Sequence, residues 1–393
     1  MAESRSGTES GSGAAADLRT AWVEIDLGAL VRNYRALARH VAPSSILAVV
    51  KADAYGHGAV EVARALEPEG AAAFGVATLR EGVELREAGI EAPVLVLSPV
   101  PDDGFDALLG HRLTPVLSSL EQLAAIAARV DAARAELPVH LKFDTGMSRL
   151  GIDADDAAAA FARLERSPGL RLAGLMSHLA EAESPESAAN EQQIALFRDL
   201  LASRCTTATP GPVHHLANSA AALHLPAARY DQVRLGISLY GYDSASWSRP
   251  RIPLEPVMSV RAGVIQIREI PAGRRVGYGG RFLAEVASRI AIVPLGYADG
   301  YSWRLGRHAD VLLRDRRVPV AGAVSMDLLA IDATGVDVRL GDPVTLLGAQ
   351  DGKAILAPEL AAQIDSIPYQ LLCLFGLRLP RRYLRSPAPE SAS

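Results

Sequence analysis

Between about residues 20 and 240, short apolar runs alternate with alanine-rich segments of helical period. The runs are Ile46 to Val50, Ala73 to Ala77, Pro93 to Leu97, Leu113 to Leu117, Val139 to Phe143, Leu172 to Met176, Val213 to Leu216 and Val233 to Leu239. Segments between them, including Val60 to Ala65, Leu120 to Ala133, Ala157 to Leu164 and Ala188 to Leu201, repeat apolar residues every three to four positions and read as amphipathic helices. Eight strands alternating with helices predict an α/β fold, a (β/α)8 barrel over residues 20–249. An open doubly wound sheet is the rival, and the absence of a Gly-x-Gly-x-x-Gly turn counts against it.

The pattern changes near Ser248-Arg249-Pro250-Arg251-Ile252-Pro253. Afterwards β-type runs dominate: Val257 to Ile270, Ile290 to Leu295, Ala309 to Leu313, Val318 to Ile331 and Pro343 to Leu347, with turn signals at Asp299-Gly300 and Leu340-Gly341-Asp342. A mainly β C-terminal domain is therefore expected over 250–385. The ends, 1–19 and 386–393, are rich in small and polar residues and read as disordered tails.

Composition narrows the function. Apolar residues make up 49%, enough for buried cores, and a net charge of −5 without a long basic block favours neither nucleic acid nor an anionic membrane as partner. No stretch approaches the roughly 20 apolar residues of a membrane span, and residues 1–19 lack the apolar core of a signal peptide. Cys205 and Cys373 lie far apart in sequence, which argues against a zinc site or disulfide framework and suits a cytoplasmic protein. No metal is expected.

Lysine is scarce: Lys51, Lys142 and Lys353 are three among 40 cationic side chains. Lys51 follows the first apolar run directly, where an amine is wanted rather than a charge, because lysine can deprotonate and react with a carbonyl and arginine cannot. A surface lysine is the bland alternative. In a (β/α)8 barrel the C-terminal strand ends converge on one mouth. There the sequence places Lys51, then Lys142, Asp144 and Arg149, then His178, then His215, Asn218 and Ser219, then Arg234 to Tyr240. Tyr55, four residues after Lys51, can reach a phosphate. Asn218-Ser219 opens a helix whose free N–H groups suit an anion, or is an ordinary cap. Gly236-Ile237 after Arg234 lets backbone approach the same anion. A reactive lysine beside a phosphate pocket suggests pyridoxal 5′-phosphate.

With these residues in place the chain resembles the alanine racemases, fold-type III pyridoxal phosphate enzymes, from Trp22-Val23-Glu24-Ile25-Asp26 to Pro380-Arg381-Arg382-Tyr383. The motifs are Val50 to Gly58, Lys142 to Gly151, His215-Leu216-Ala217-Asn218-Ser219, Val276-Gly277-Tyr278-Gly279, Leu295 to Gly300 and Val324-Ser325-Met326-Asp327. The resemblance implies that Lys51 bonds the cofactor, that Tyr55, Ser219, Gly236, Ile237 and Tyr369 hold its phosphate, and that Arg234 faces the ring nitrogen with His178 and His215 in support. It implies that Arg149 meets the substrate carboxylate and that Lys142, often carbamylated in the family, positions Arg149. Tyr278 would be the second acid/base, contributed with Tyr297 and Met326 by the partner of a homodimer, and Asp327 would play a supporting part. The implied activity interconverts L- and D-alanine, the latter for bacterial peptidoglycan. Ser325 stands where many family members have cysteine. Rival readings are a racemase for another amino acid, a non-catalytic single-barrel cofactor carrier, and an inactive scaffold. The carrier lacks a second β domain, and both presumed bases are present against the scaffold.

Overall fold

The computed structural model describes residues 20–202, 211–247, 249–306 and 308–386. The expected tails, apart from Ser386, and Cys205 lie outside the described residues. The chain divides into two compact units. Among the described residues, one holds those within 24–259, 356–374 and 383–386; the other holds those within 20–23, 260–355 and 375–382.

The first unit is a barrel of eight parallel strands: Ser45–Val49, Ala73–Val76, Val94–Val96, Thr114–Leu117, Leu137–Asp144, Leu170–Met176, Val213–His215 and Gln232–Leu235. Each overlaps one of the eight apolar runs. In the first four, every residue except Ser45 is buried, as strands covered on both faces require. The eighth strand pairs back onto the first, with Arg234 opposite Leu47. No ladder joins the seventh to the eighth; the Arg234 N–H donates to the Ala217 carbonyl at 3.0 Å, so the barrel is nearly closed.

Register decides what lines the interior. Leu47, Val49, Ala73, Leu95, Val116 and Met176 form one buried apolar cluster. Lys142 is the pairing partner of Met176, Met176 of His215, and Arg234 of Leu47. Those polar residues therefore share the inner face with the apolar cluster. Outside, local chemistry fixes where helices begin. Asp26 caps Leu27–Val41 by accepting from Ala29 N–H, Ser119 caps Leu120–Ala133 through Gln122 N–H, and Thr78 with Glu81 forms a capping box before Leu79–Glu87. Helices Ala357–Gln363 and Pro368–Leu374 also belong to this unit, although the sequence around them does not.

The second unit is built of antiparallel strands, and two of its apolar runs are interrupted. Val257 to Ile270 is two strands, Met258–Gly263 and Gln266–Ile270. The first pairs with Pro343–Gln350 and the second with Ser288–Val293, so the chain changes sheets at Val264 and Ile265. Val318 to Ile331 likewise splits into Arg316–Pro319 and Leu329–Asp332, with Gly322 between them at φ +94°. Hydrophobic alternation continues through both breaks, which is why the sequence reads each as one strand.

Candidate active site

Directly after the first barrel strand, Lys51 opens a turn of left-handed backbone. Ala52, Asp53, Ala54 and Tyr55 have φ between +52° and +56°. Left-handed helix costs an L-residue about 1–2 kcal/mol per position, so the turn must be held. Glu81 Oε1 accepts from Ala52 N–H at 2.8 Å, and the Val50 carbonyl accepts from Ala54 N–H at 2.8 Å. Asp53 Oδ1 accepts from Ala59 N–H at 2.8 Å, tying the turn to the next helix. Beneath it, the buried Tyr240 ring stacks on His57 at 4.3 Å and donates its hydroxyl to the Val49 carbonyl.

A cavity of about 770 Å³ opens at the C-terminal ends of the strands. Of the expected site residues, Lys51, Tyr55, Lys142, Arg149, His178, Asn218, Ser219, Arg234, Gly236, Ile237 and Tyr369 line it, Tyr369 coming from the stretch expected in the C-terminal domain. His215 lies behind this wall, fully buried.

Arg234 organises one side. Its NH2 donates to the carbonyls of Ser177 (2.8 Å) and Leu216 (2.9 Å) and to His178 Nδ1 (3.0 Å). Its NH1 donates to the His215 carbonyl (2.9 Å) and His215 Nδ1 (3.3 Å). An arginine can only donate, so each of these ring nitrogens must be an acceptor. His215 therefore carries its proton on Nε2, which meets His140 Nδ1 at 2.8 Å. Burial, followed by the charge of Arg234, holds His178 well below the usual histidine range; burial, then His140 and then Arg234, does the same to His215. Burial also pushes Arg234 down to about 10, leaving it cationic at neutral pH. No carboxylate accompanies it in these hydrogen bonds.

Lys142 is buried, and burial with Arg234 and Arg149 pushes its ammonium down to about 8. Asp144 does not relieve it by pairing; its Oδ1 accepts from Gly146 and Met147 N–H, closing the loop that leads to Arg149. Lys51 reaches solvent through the cavity, yet the walls still desolvate its ammonium, and that desolvation, then Arg149, lowers its pKa. Four cationic side chains thus line one cavity, an arrangement suited to anionic ligands.

A narrow cradle also lines the cavity. A Cβ at Gly236 would stand 2.5 Å from the Tyr55 hydroxyl. The Ser219 hydroxyl accepts from Gly236 N–H at 3.0 Å, and Asn218 caps the helix Ser219–His224 through Ala221 N–H. The Tyr369 hydroxyl is engaged by Glu183 at 2.9 Å. No motif marks Glu183 or Cys373 as site residues, yet both line the cavity. Cys373 arrives on the helix Pro368–Leu374, far along the chain, with no motif to announce it.

Tyr278, Tyr297, Met326 and Asp327 belong to the second unit. Tyr278 is 76% exposed and follows Gly277 at φ +70°. Tyr297 and Met326 are neighbours: Tyr297 N–H donates to the Ser325 carbonyl and Ala298 N–H to the Met326 carbonyl, each at 3.0 Å. Arg378 spans Asp327 (2.7 Å) and the buried Asp299 (3.4 Å), so Asp327 supports this corner. Among the described residues there is no cluster of three metal-ligating side chains and no helix long and apolar enough to cross a membrane.

Comparison with known proteins agrees with this geometry. Residues 25–244 match the family model "Alanine racemase, N-terminal domain" and 257–383 match "Alanine racemase, C-terminal domain". The alanine racemase of Synechocystis sp. is 44% identical over 365 residues, covering 92% of this chain and 98% of that protein. The crystal structure of the alanine racemase from E. faecalis superposes with a TM-score of 0.88 at 31% identity, covering 94% of this chain and 99% of that one. That from Bartonella henselae, with covalently bound pyridoxal phosphate, gives 0.84 at 32% identity, covering 93% and 99%. Matched over both domains and nearly its whole length, the chain belongs to the alanine racemase family.

Proposed function

We propose that this protein interconverts L- and D-alanine with pyridoxal 5′-phosphate, using Lys51 and Tyr278 as two opposed acid/base groups, and that it supplies D-alanine for peptidoglycan. The observation that carries the reading is the meeting, in one cavity, of a lysine of lowered pKa, an excess of cations and a cradle around Gly236. That donor set fits the cofactor: Lys51 would bond its aldehyde carbon, Tyr55, Ser219 and the backbone at Gly236 and Ile237 would hold its phosphate, and Arg234 would face its ring nitrogen. When bound, the cofactor supplies an electron-withdrawing ring that acidifies the substrate Cα–H.

The residues do the rest. Arg149, with no hydrogen bond or ion pair of its own among the described residues, is available to a substrate carboxylate. Racemisation removes a proton from one face of Cα and returns one to the other, which a single fixed base cannot do. Lys51 takes one face, and its lowered pKa brings it toward the working pH. Tyr278 takes the other, contributed by a second copy of the chain; its exposure supports that assignment. Arg234 keeps its own protons at neutral pH and cannot accept one, so a ring nitrogen facing it would stay unprotonated and withdraw electrons less strongly, which favours prompt proton return over side reactions. Lys142 now repels Arg149. If its neutral amine adds CO2, forming an N–C bond and releasing one proton, the resulting carbamate would attract Arg149 instead, and a pKa of about 8 keeps neutral amine available.

Replacing Lys51 with Ala should remove both the visible absorption of covalently bound cofactor and the racemase activity. Full racemase activity in that variant would sink the reading.

A further inference from the structure

The barrel has a second opening. At the N-terminal ends of the strands, opposite the mouth that holds Lys51, lies a cavity of about 430 Å³, within the range of about 300–1,000 Å³ usual for small-molecule sites. Arg86, Arg112, Arg171, Glu91 and His140 line it, three formal positive charges against one negative.

These arginines differ in what they are free to do. The Arg86 guanidinium donates to the carbonyls of Ile90 and Ala92 (2.7 Å each), His111 (3.0 Å) and Arg112 (3.2 Å), so it is a fixed charge in the wall. The side chains of Arg112 and Arg171 make no hydrogen bond or ion pair among the described residues. His140 is the buried element. It is 4% exposed, and its Nδ1 accepts from His215 Nε2. The proton order that begins at Arg234 therefore leaves the His140 proton on Nε2. That N–H has no partner among the described residues, and the ring lines the cavity. It opens onto the cavity, free to donate to a ligand there, beside two uncommitted guanidinium groups.

We propose that this N-terminal mouth binds a small phosphate- or carboxylate-bearing anion through Arg112, Arg171 and the His140 Nε2–H. Such an anion would complete a one-directional line of hydrogen bonds, Arg234 to His215 to His140 to ligand, that joins the two ends of the barrel. The neutral state of His140, held down to about 3 by burial and then by Arg234 and Arg171, keeps that line in order. The site does not depend on what reaction the other mouth performs.

The test is a titration of the cofactor-loaded full chain, labelled with 15N in its histidine rings, with inorganic phosphate in one arm and succinate in another. Chloride holds ionic strength constant, and the bound cofactor keeps the Tyr55 cradle filled. The expected result is a saturable shift of the His140 Nε2–H resonance. Half-saturation should rise about tenfold or more when both Arg112→Ala and Arg171→Ala are introduced, since each removes a charge-assisted contact. Both changes lie at exposed side chains, so the fold should persist, and unchanged circular dichroism confirms it. A shift with phosphate alone or succinate alone identifies the preferred anion. The proposal is overturned if neither anion shifts His140 saturably, if the double variant responds as the parent does, or if His178 responds while His140 does not.

Discussion

The most informative single residue after Lys51 is Lys142. It is buried beside two arginines, with its pKa pushed from the usual 10.5 to about 8. Unfolding restores the ordinary value, so below about pH 8 both states are protonated and the fold bears the full desolvation and repulsion penalty. Between about 8 and 10.5 the folded lysine is already neutral while the unfolded one is not, and the penalty falls progressively, vanishing only near 10.5. In CO2-free buffer, Lys142→Met should therefore raise unfolding free energy at pH 7, and the gain should shrink steadily toward pH 10.5; urea unfolding across that range checks it. Gly236 gives a second prediction. Gly236→Ala would drive a Cβ against the Tyr55 hydroxyl and should weaken cofactor binding by about tenfold, roughly one lost hydrogen bond to a charged group, while the apo protein stays folded. Absorbance titration with the cofactor measures it. At this scale the sequence showed a good deal. Lys51, Lys142, His178, Ser219 and Arg234 were legible because they lie within or just after apolar runs. Glu183, Cys373 and His140 were not, because nothing local says which loop folds over the mouth or which strand residue turns inward beside another histidine.

Among the elements, the left-handed turn at 52–55 matters most, because it aims Lys51. Ala52 is exposed, so changes there test backbone strain without opening a cavity. Ala52→Gly should alter stability by between zero and about +1 kcal/mol, relief of left-handed strain being offset by the freer unfolded chain. Ala52→Val should cost about 1–3 kcal/mol and should also disturb Lys51. Denaturant midpoints give the first and cofactor loading the second. The turn was invisible in the sequence, where Ala-Asp-Ala-Tyr carries no glycine to announce positive φ; it persists because Glu81 and Val50 hold it from outside and its own Asp53 ties it to the next helix. The eight barrel strands, in contrast, were legible because burial on both faces writes continuous apolar runs. The broken strands of the second unit were not, because a change of sheet leaves the alternation intact.

For the molecule as a whole, three neutral histidines sit in the barrel: His140, His178 and His215. All have folded pKa values below the unfolded value of 6.5, so below about pH 6.5 the unfolded chain binds more protons and stability falls as pH falls. Each contributes up to about 1.4 kcal/mol per pH unit, His140 down to about pH 3. Unfolding at pH 7 and pH 5 should show that loss, and His140→Gln should flatten it. The proposed sharing of Tyr278 between copies makes a separate prediction. Mixing a Lys51→Ala protein with a Tyr278→Phe protein should restore activity through hybrid dimers, and no recovery despite proven exchange of subunits would argue against a shared site.

The central claim is that two opposed bases act on alanine, and proton exchange in deuterated water tests it most directly. Incubated with L-alanine, the parent protein should form D-alanine carrying deuterium at Cα. Tyr278→Phe should exchange the α-proton of one enantiomer alone and form little of the other, and Lys51→Ala should do neither. Failure of the parent to form D-alanine, or racemisation at the parental rate by Tyr278→Phe, would contradict the account.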